Sequence, residues 1–211
     1  MKLLKPDAKC RYLTDVTPAT VKALGCKAVL IDADNTSSYD LTTDPLPGTE
    51  DWVRSMKEAG LKVLLLSNAK AERAKVLADH YGIPVIGMAA KPAPFGYFRA
   101  VLTLRTSPKK MLMLGDQLFT DILGANLAGC KSIWVSIPGK KDLTSSKSLA
   151  SVAVVAMLLH TCLPKVSKVS TLYFVIQTIR LLRKALSQRR CILENAPSEQ
   201  VTNQRWVVML R

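Results

Sequence analysis

Residues 27–34 read KAVLIDAD, an apolar run that ends in two aspartates one residue apart. Four more runs share its character: Leu61–Asn68 (LKVLLLSN), Pro84–Met88 (PVIGM), Met111–Asp116 (MLMLGD) and Ser132–Ile137 (SIWVSI). Each is continuously hydrophobic rather than alternating, which suits strands covered on both faces, as in a parallel sheet. Helical patterns fill the gaps at Thr49–Ala59, Ala71–Tyr81, Pro94–Leu104 and Phe119–Ala128. Gly60, Gly82 and Gly129 follow three of them, a common helix stop. Strand and helix in alternation predict an α/β domain with right-handed crossovers. The pattern ends near Pro138, so the domain is expected to occupy residues 1–141.

The 211 residues suffice for one well-buried domain with an appendage, or for two small domains. A hydrophobic content of 48% excludes global disorder. Five cysteines, Cys10, Cys26, Cys130, Cys162 and Cys191, are far apart and form no C-x-x-C pair. That argues against a disulfide framework or a zinc cluster and for a reducing compartment. Two histidines, His80 and His160, are too few for a His-rich metal site. The opening MKLLKPDAKC holds an apolar stretch too short for a signal-peptide core, and a cytoplasmic location is expected.

The net charge of +14 points to a polyanionic partner: nucleic acid, an anionic membrane surface or a phosphorylated substrate. From Gly139 onward 12 Lys/Arg face 3 Asp/Glu, against 18 and 13 in the first 138 residues, so the excess is concentrated in the tail. Leu149–Leu163 is apolar but 15 residues long, short of the ~20 that span a bilayer. Leu172, Val175, Ile179, Leu182 and Leu186 then recur at helical spacing, with Arg180, Arg183, Lys184, Arg189 and Arg190 among or after them. Residues 142–193 therefore read as an apolar and basic amphipathic helical tail, suited either to a membrane surface or to packing on the main domain. Residues 194–211 lack periodicity and are expected to be loosely ordered.

Ligands of an open parallel sheet bind at the carboxyl ends of its strands. Asp32 and Asp34 follow the first strand, Ser67 and Asn68 the second; Lys91 comes shortly after the third, and Asp116 and Asp121 follow the fourth. Several carboxylates, one cation and two small polar side chains thus gather at one edge. Clustered carboxylates require a compensating cation or a bound proton. Oxygen ligands without His or Cys suit a hard ion such as Mg²⁺.

D-A-D-N-T (Asp32–Thr36), the S-N pair, Lys91 and G-D-Q-L-F-T-D (Gly115–Asp121) resemble, in this order, the four motifs of the haloacid dehalogenase superfamily. The resemblance covers roughly residues 5–138. Lys91–Ala100 with Gly115–Asn126 is similar to the YqeG-type, subfamily IIIA phosphatases, a group that includes phosphatases similar to mitochondrial and plastid enzymes acting on phosphatidylglycerophosphate. It implies a Rossmann-like three-layer sandwich, and Mg²⁺ held by Asp32, Asp34 (through its backbone carbonyl), Asp116 and Asp121. It further implies Asp32 as nucleophile, Asp34 as general acid and base, Ser67 and Asn68 on the phosphoryl oxygens, and Lys91 offsetting charge. Thr36 is expected to fix the loop. Ser37 and Ser38 depart from the pattern, which usually has an apolar residue after the threonine.

The gaps between motifs are about 30 and 22 residues, each already holding a helix, so no large cap domain is expected. An open site suits a phosphate on a large or surface-bound molecule. With the basic tail, this makes phosphatidylglycerophosphate at the inner face of a membrane the first reading. A soluble or macromolecular phosphate (a nucleic-acid end or a phosphoprotein) is the second. A basic RNA- or ribosome-binding protein without catalysis is the third.

Overall fold

The computed structural model describes residues 3–136. The expectations for residues 137–211, including the end of the last strand and the whole tail, lie outside these described residues. The elements run β1 (Ala8–Cys10), α1 (Pro18–Ala23), β2 (Ala28–Ile31), α2 (Thr49–Glu58), β3 (Lys62–Leu66), α3 (Ala71–Tyr81), β4 (Val85–Ile86), α4 (Phe95–Leu104), β5 (Met111–Gly115), α5 (Leu123–Ala128) and β6 (Lys131–Val135). All six strands are parallel and lie in the order β1-β6-β5-β2-β3-β4. The family-type α/β sandwich expected from the sequence is the observed fold.

Alternate residues of the central strands serve opposite layers. Val29 and Ile31 of β2, Val63 and Leu65 of β3, and Leu112 and Leu114 of β5 pack with Trp52, Val53 and Met56 of α2 and Leu77 and Ala78 of α3. Ala28, Leu30, Leu64, Leu66, Met111 and Met113 face Tyr97, Ala100 and Leu104 of α4 and Ala125 of α5. Because both faces are buried, polar residues have no place in these strands, and the runs read as unbroken apolar segments.

The chain builds outward from β2 through β3 to β4, then returns to β5 on the other side of β2. Strand order therefore reverses between β2 and β5, and a crevice opens at their carboxyl ends. Asp32 leaves β2 there and Asp116 leaves β5.

Three details differ from the sequence reading. β1, a three-residue edge strand with exposed Lys9, pairs only with β6, so it carries no long apolar signal. The short α1 was likewise absent from the reading; Thr17 caps it by accepting the Thr20 N–H at 3.2 Å, and it buries only Val21. The expected helix from Phe119 is interrupted by a π-helical turn over Leu118–Ile122, after which α5 begins.

Leu30 is fully buried between β2 and the α4–α5 layer. Leu30→Ala is expected to cost about 2–5 kcal/mol in urea denaturation with an unchanged slope, the range for a core truncation that leaves a cavity.

Candidate active site

The backbone of Asp32 still belongs to the sheet, its N–H donating to Leu114 O at 3.0 Å. Its side chain, 5% exposed, therefore sits where β2 ends. Beyond β5, the π-helical turn carries Asp121 back toward it: the N–H groups of Asp121 and Ile122 both donate to Gln117 O. Asp32, Asp116 and Asp121 each offer one oxygen, and these three atoms lie within 4.8 Å of one another. Gly115 makes the approach possible, since a Cβ there would fall 2.4 Å from the Asp121 carboxylate.

Lys91 supplies the counter-charge. Its Nζ, on a side chain only 2% exposed, donates to Asp32 Oδ1 at 2.7 Å and to Asp121 Oδ1 at 2.6 Å. Asp121 Oδ2 accepts the Gln117 N–H at 3.0 Å, and the Tyr97 hydroxyl donates to Asp121 O at 3.0 Å. The Asn68 amide clamps the Lys91 backbone from both sides, donating to its carbonyl at 3.0 Å and accepting its N–H at 2.8 Å. Asn68 thus holds Lys91 in place, a contact that the expectation of a phosphoryl ligand did not foresee. Ser67 is buried after β3, where its Oγ accepts the Ala69 N–H at 3.1 Å.

Asp34 is held differently. Arg73, from the first turn of α3, grips its carboxylate with two hydrogen bonds of 2.6 and 2.7 Å, and the Leu41 N–H adds a third at 2.9 Å. Arg73 also donates to Thr42 O at 3.1 Å. The sequence reading missed Arg73. The available signal was its position, five residues after Asn68, on the first turn of the helix that the S-N loop leads into.

Ser37 and Ser38 pin the loop. Ser37 Oγ donates to Asp32 O at 2.7 Å, Ser38 Oγ donates to Ala33 O at 3.1 Å, and the Tyr81 hydroxyl donates to Ser37 O at 2.6 Å. Polar side chains stand here because the tight turn leaves buried carbonyls that need donors. The Thr36 hydroxyl makes no hydrogen bond, so the pinning expected of Thr36 comes from its two neighbours.

A family model for haloacid dehalogenase-like hydrolases matches residues 15–129. The chain belongs to this hydrolase family. It is 34% identical over 134 residues to a probable phosphatase, YqeG, of Bacillus subtilis, covering 64% of this chain and 78% of that one. It is 32% identical over 123 residues to the mitochondrial phosphatidylglycerophosphatase of Saccharomyces cerevisiae, covering 52% of this chain and 66% of that one. Among solved structures, a phosphatase of the same family from Thermococcus onnurineus is 22% identical, with a TM-score of 0.42 over 48% of this chain and 51% of that one. Within the family the chain is a phosphatase of the YqeG type.

The electrostatics of this hydrolase site follow from burial. Desolvation lifts the Asp32 carboxyl to about 7 against the pull of Lys91, with the charge of Asp121 adding to the rise. Burial also raises Asp121; Lys91 opposes the rise and Asp116 reinforces it. Burial disfavours the Lys91 ammonium, but Asp121 and Asp32 more than reverse this, so Lys91 stays charged. For Asp34, burial acts upward, yet the Arg73 guanidinium and the Leu41 N–H hold it below the usual carboxylate range.

Two buried carboxylates, Asp32 and Asp121, share the one Lys91 ammonium, which leaves an excess of negative charge when both are ionised. An all-oxygen set of this kind fits a hard divalent cation such as Mg²⁺, with Asp32, Asp116 and Asp121 as the residues able to hold it. The Asp34 carboxylate stands outside that trio, engaged by Arg73.

Without a divalent ion the excess destabilises the fold. Between an unfolded-state value of about 3.9 and a native value of about 7, the native state binds more protons at Asp32, so stability falls as pH rises through that window. Asp32→Asn should therefore stabilise the protein in EDTA by on the order of 2 kcal/mol at pH 8, with the gain shrinking toward pH 4. Lys91→Met, which strips the carboxylates of their counter-charge, should cost about 3–5 kcal/mol at pH 8. Urea denaturation of both variants at pH 5 and 8 checks the two signs, and a neutral Lys91→Met would show that the ammonium is not the compensating charge.

Proposed function

We propose that this hydrolase is a Mg²⁺-dependent phosphomonoesterase acting through an aspartyl-phosphate on Asp32, with phosphatidylglycerophosphate at a membrane surface as its substrate. The observation that carries the chemistry is the buried Asp32–Lys91–Asp121 cluster, with Asp116 beside it, at the reversal point of the sheet.

Asp32 attacks phosphorus, and the bond from phosphorus to the leaving alkoxide breaks. Asp34 gives its proton to that alkoxide and, now a carboxylate, takes one from the water that attacks the phosphoenzyme. The second attack breaks the bond between phosphorus and the Asp32 oxygen, freeing phosphate and restoring the nucleophile. Lys91 orients Asp32 and offsets charge gathering on the phosphoryl oxygens, and Ser67 donates to those oxygens. Asp32, Asp116 and Asp121, with the Asp34 backbone carbonyl, would hold Mg²⁺, which would supply Lewis-acid stabilisation of the phosphoryl group.

In the observed arrangement Asp34 is in the ionised form, the one that serves the hydrolytic step. Protonating the leaving group requires Asp34 to come away from Arg73, so Arg73 is the positioning residue for the acid–base group. The lipid assignment is supported by the similarity to the yeast enzyme, by the lack of room for a large cap between the motifs and by the basic amphipathic tail. Among the described residues no helix is long and apolar enough to cross a membrane.

Phosphate release from phosphatidylglycerophosphate vesicles, nucleotides and phosphopeptides, each with and without Mg²⁺, tests the reading. The lipid is expected to be turned over fastest and only with the metal. Asp32→Asn should lower kcat by on the order of 10³-fold or more, and Asp34→Asn by about 10²–10⁴-fold. Faster turnover of a nucleotide would overturn the substrate and leave the chemistry standing; an active Asp32→Asn enzyme would overturn the chemistry.

A further inference from the structure

We propose that the amino-terminal edge of the sheet, opposite the candidate active site, is a second anion site that takes a small ligand carrying several phosphate groups. A cavity of about 860 Å³ opens there. Lys22, Lys27, Lys62, Arg105 and Lys110 line it, and among the described residues no carboxylate does. The arrangement is built into the sheet. Lys62, Lys27 and Lys110 stand at the heads of the neighbouring strands β3, β2 and β5, and their backbones are linked: the Lys62 N–H donates to Lys27 O at 3.1 Å and the Lys27 N–H to Lys110 O at 2.8 Å. Strands in a sheet lie about 4.8 Å apart, so the backbones of these three lysines start side by side at one end of the sheet, with Lys27 and Lys110 in register.

All five side chains are exposed, and the charge they share can be set against what surrounds it. Helix carboxyl ends attract cations, and Gly25, Gly60 and Arg105 on this rim follow the ends of α1, α2 and α4 by one or two residues. Each helix end amounts to about half a negative charge, so three supply about −1.5 against five cations. One cation is spoken for directly, Lys62 Nζ donating to Leu104 O at 2.6 Å. Among the described residues none of the five forms an ion pair. The unbalanced charge matches a ligand with three or four negative charges, beyond what a single phosphate monoanion supplies. Ser107, which also lines the cavity, adds a hydroxyl donor suited to a phosphate oxygen.

This site is physically separate from the carboxylate cluster. Lys27 and Asp32 cap the two ends of the same strand, about 16 Å apart at 3.3 Å per residue. The same strands that carry Asp32, Ser67 and Asp116 at their carboxyl ends carry Lys27, Lys62 and Lys110 at their amino ends. The proposal does not depend on the catalytic reading.

The test uses the full chain in EDTA with sodium tripolyphosphate as the probe. Amine acetylation followed by peptide mass spectrometry should show Lys22, Lys27, Lys62 and Lys110 protected at least threefold, while Lys57 and Lys75 are unchanged. By calorimetry the double variant Lys27→Gln/Lys110→Gln should weaken binding at least tenfold, with Asp32→Asn binding as the wild type does. An unfolding midpoint of the Lys27→Gln/Lys110→Gln variant matched to the wild type within a degree or two keeps a folding defect apart from lost binding. Uniform protection of all lysines, or undiminished binding by the double variant, would overturn the site. Protection by phosphatidylglycerol vesicles but not by tripolyphosphate would also overturn it, reassigning this edge to a membrane surface.

Discussion

The structure turns on one buried ammonium. Lys91 reaches Asp32 from the β2 end and Asp121 from beyond β5, joining the two halves of the sheet at the crevice between them. A charge this deep is tolerated only when paired and hydrogen-bonded, and each neighbouring feature serves that pairing. Asn68 holds the Lys91 backbone; Gly115 leaves room for the Asp121 carboxylate; the π-helical turn and the Tyr97 hydroxyl fix the backbone that carries Asp121. Even so, the ammonium balances only part of the negative charge around it. Burial, with the charge of Asp121 adding to it, lifts Asp32 to about 7, and the carboxylate trio fits a hard divalent ion.

The two aspartates of the first motif occupy unlike environments although one residue separates them. Asp32 is buried against a cation it shares with Asp121, whereas Asp34 is partly exposed and bound to a guanidinium of its own. Different surroundings move their proton affinities in opposite directions, up for Asp32 and down for Asp34. That separation comes from environment and not from residue type. The serines after Thr36 make it durable, because they hold the carbonyls of Asp32 and Ala33 and so keep the turn between the aspartates closed.

Much of the fold was legible because the central strands are covered on both sides. Nothing but apolar residues can occupy them, and the glycines after α2, α3 and α5 mark where those helices stop. β1 escaped because a three-residue edge strand with one exposed lysine has no pattern to read, and β4 shrank to Val85–Ile86 for want of a partner on its outer side. Asp32, Ser67, Lys91, Asp116 and Asp121 were legible as candidates because polar residues at the ends of apolar strands stand out against the runs before them. Arg73 was not, since a single arginine on a helix looks like any solvated cation until the fold sets it against a residue 39 positions away.

The sequence by itself determined five of the six strands, their parallel packing and the family to which the motifs point, because burial and local turn chemistry are written in residue type and spacing. Tertiary structure alone decided the pairings: which carboxylates share Lys91, that Arg73 claims Asp34, and that Asn68 clamps a backbone. It also decided that lysines at the heads of three separate strands would share one rim. These pairings depend on side chains distant in sequence meeting in a low-dielectric interior or along one sheet edge. The strength of such meetings is set by distance and burial, quantities that no local pattern encodes.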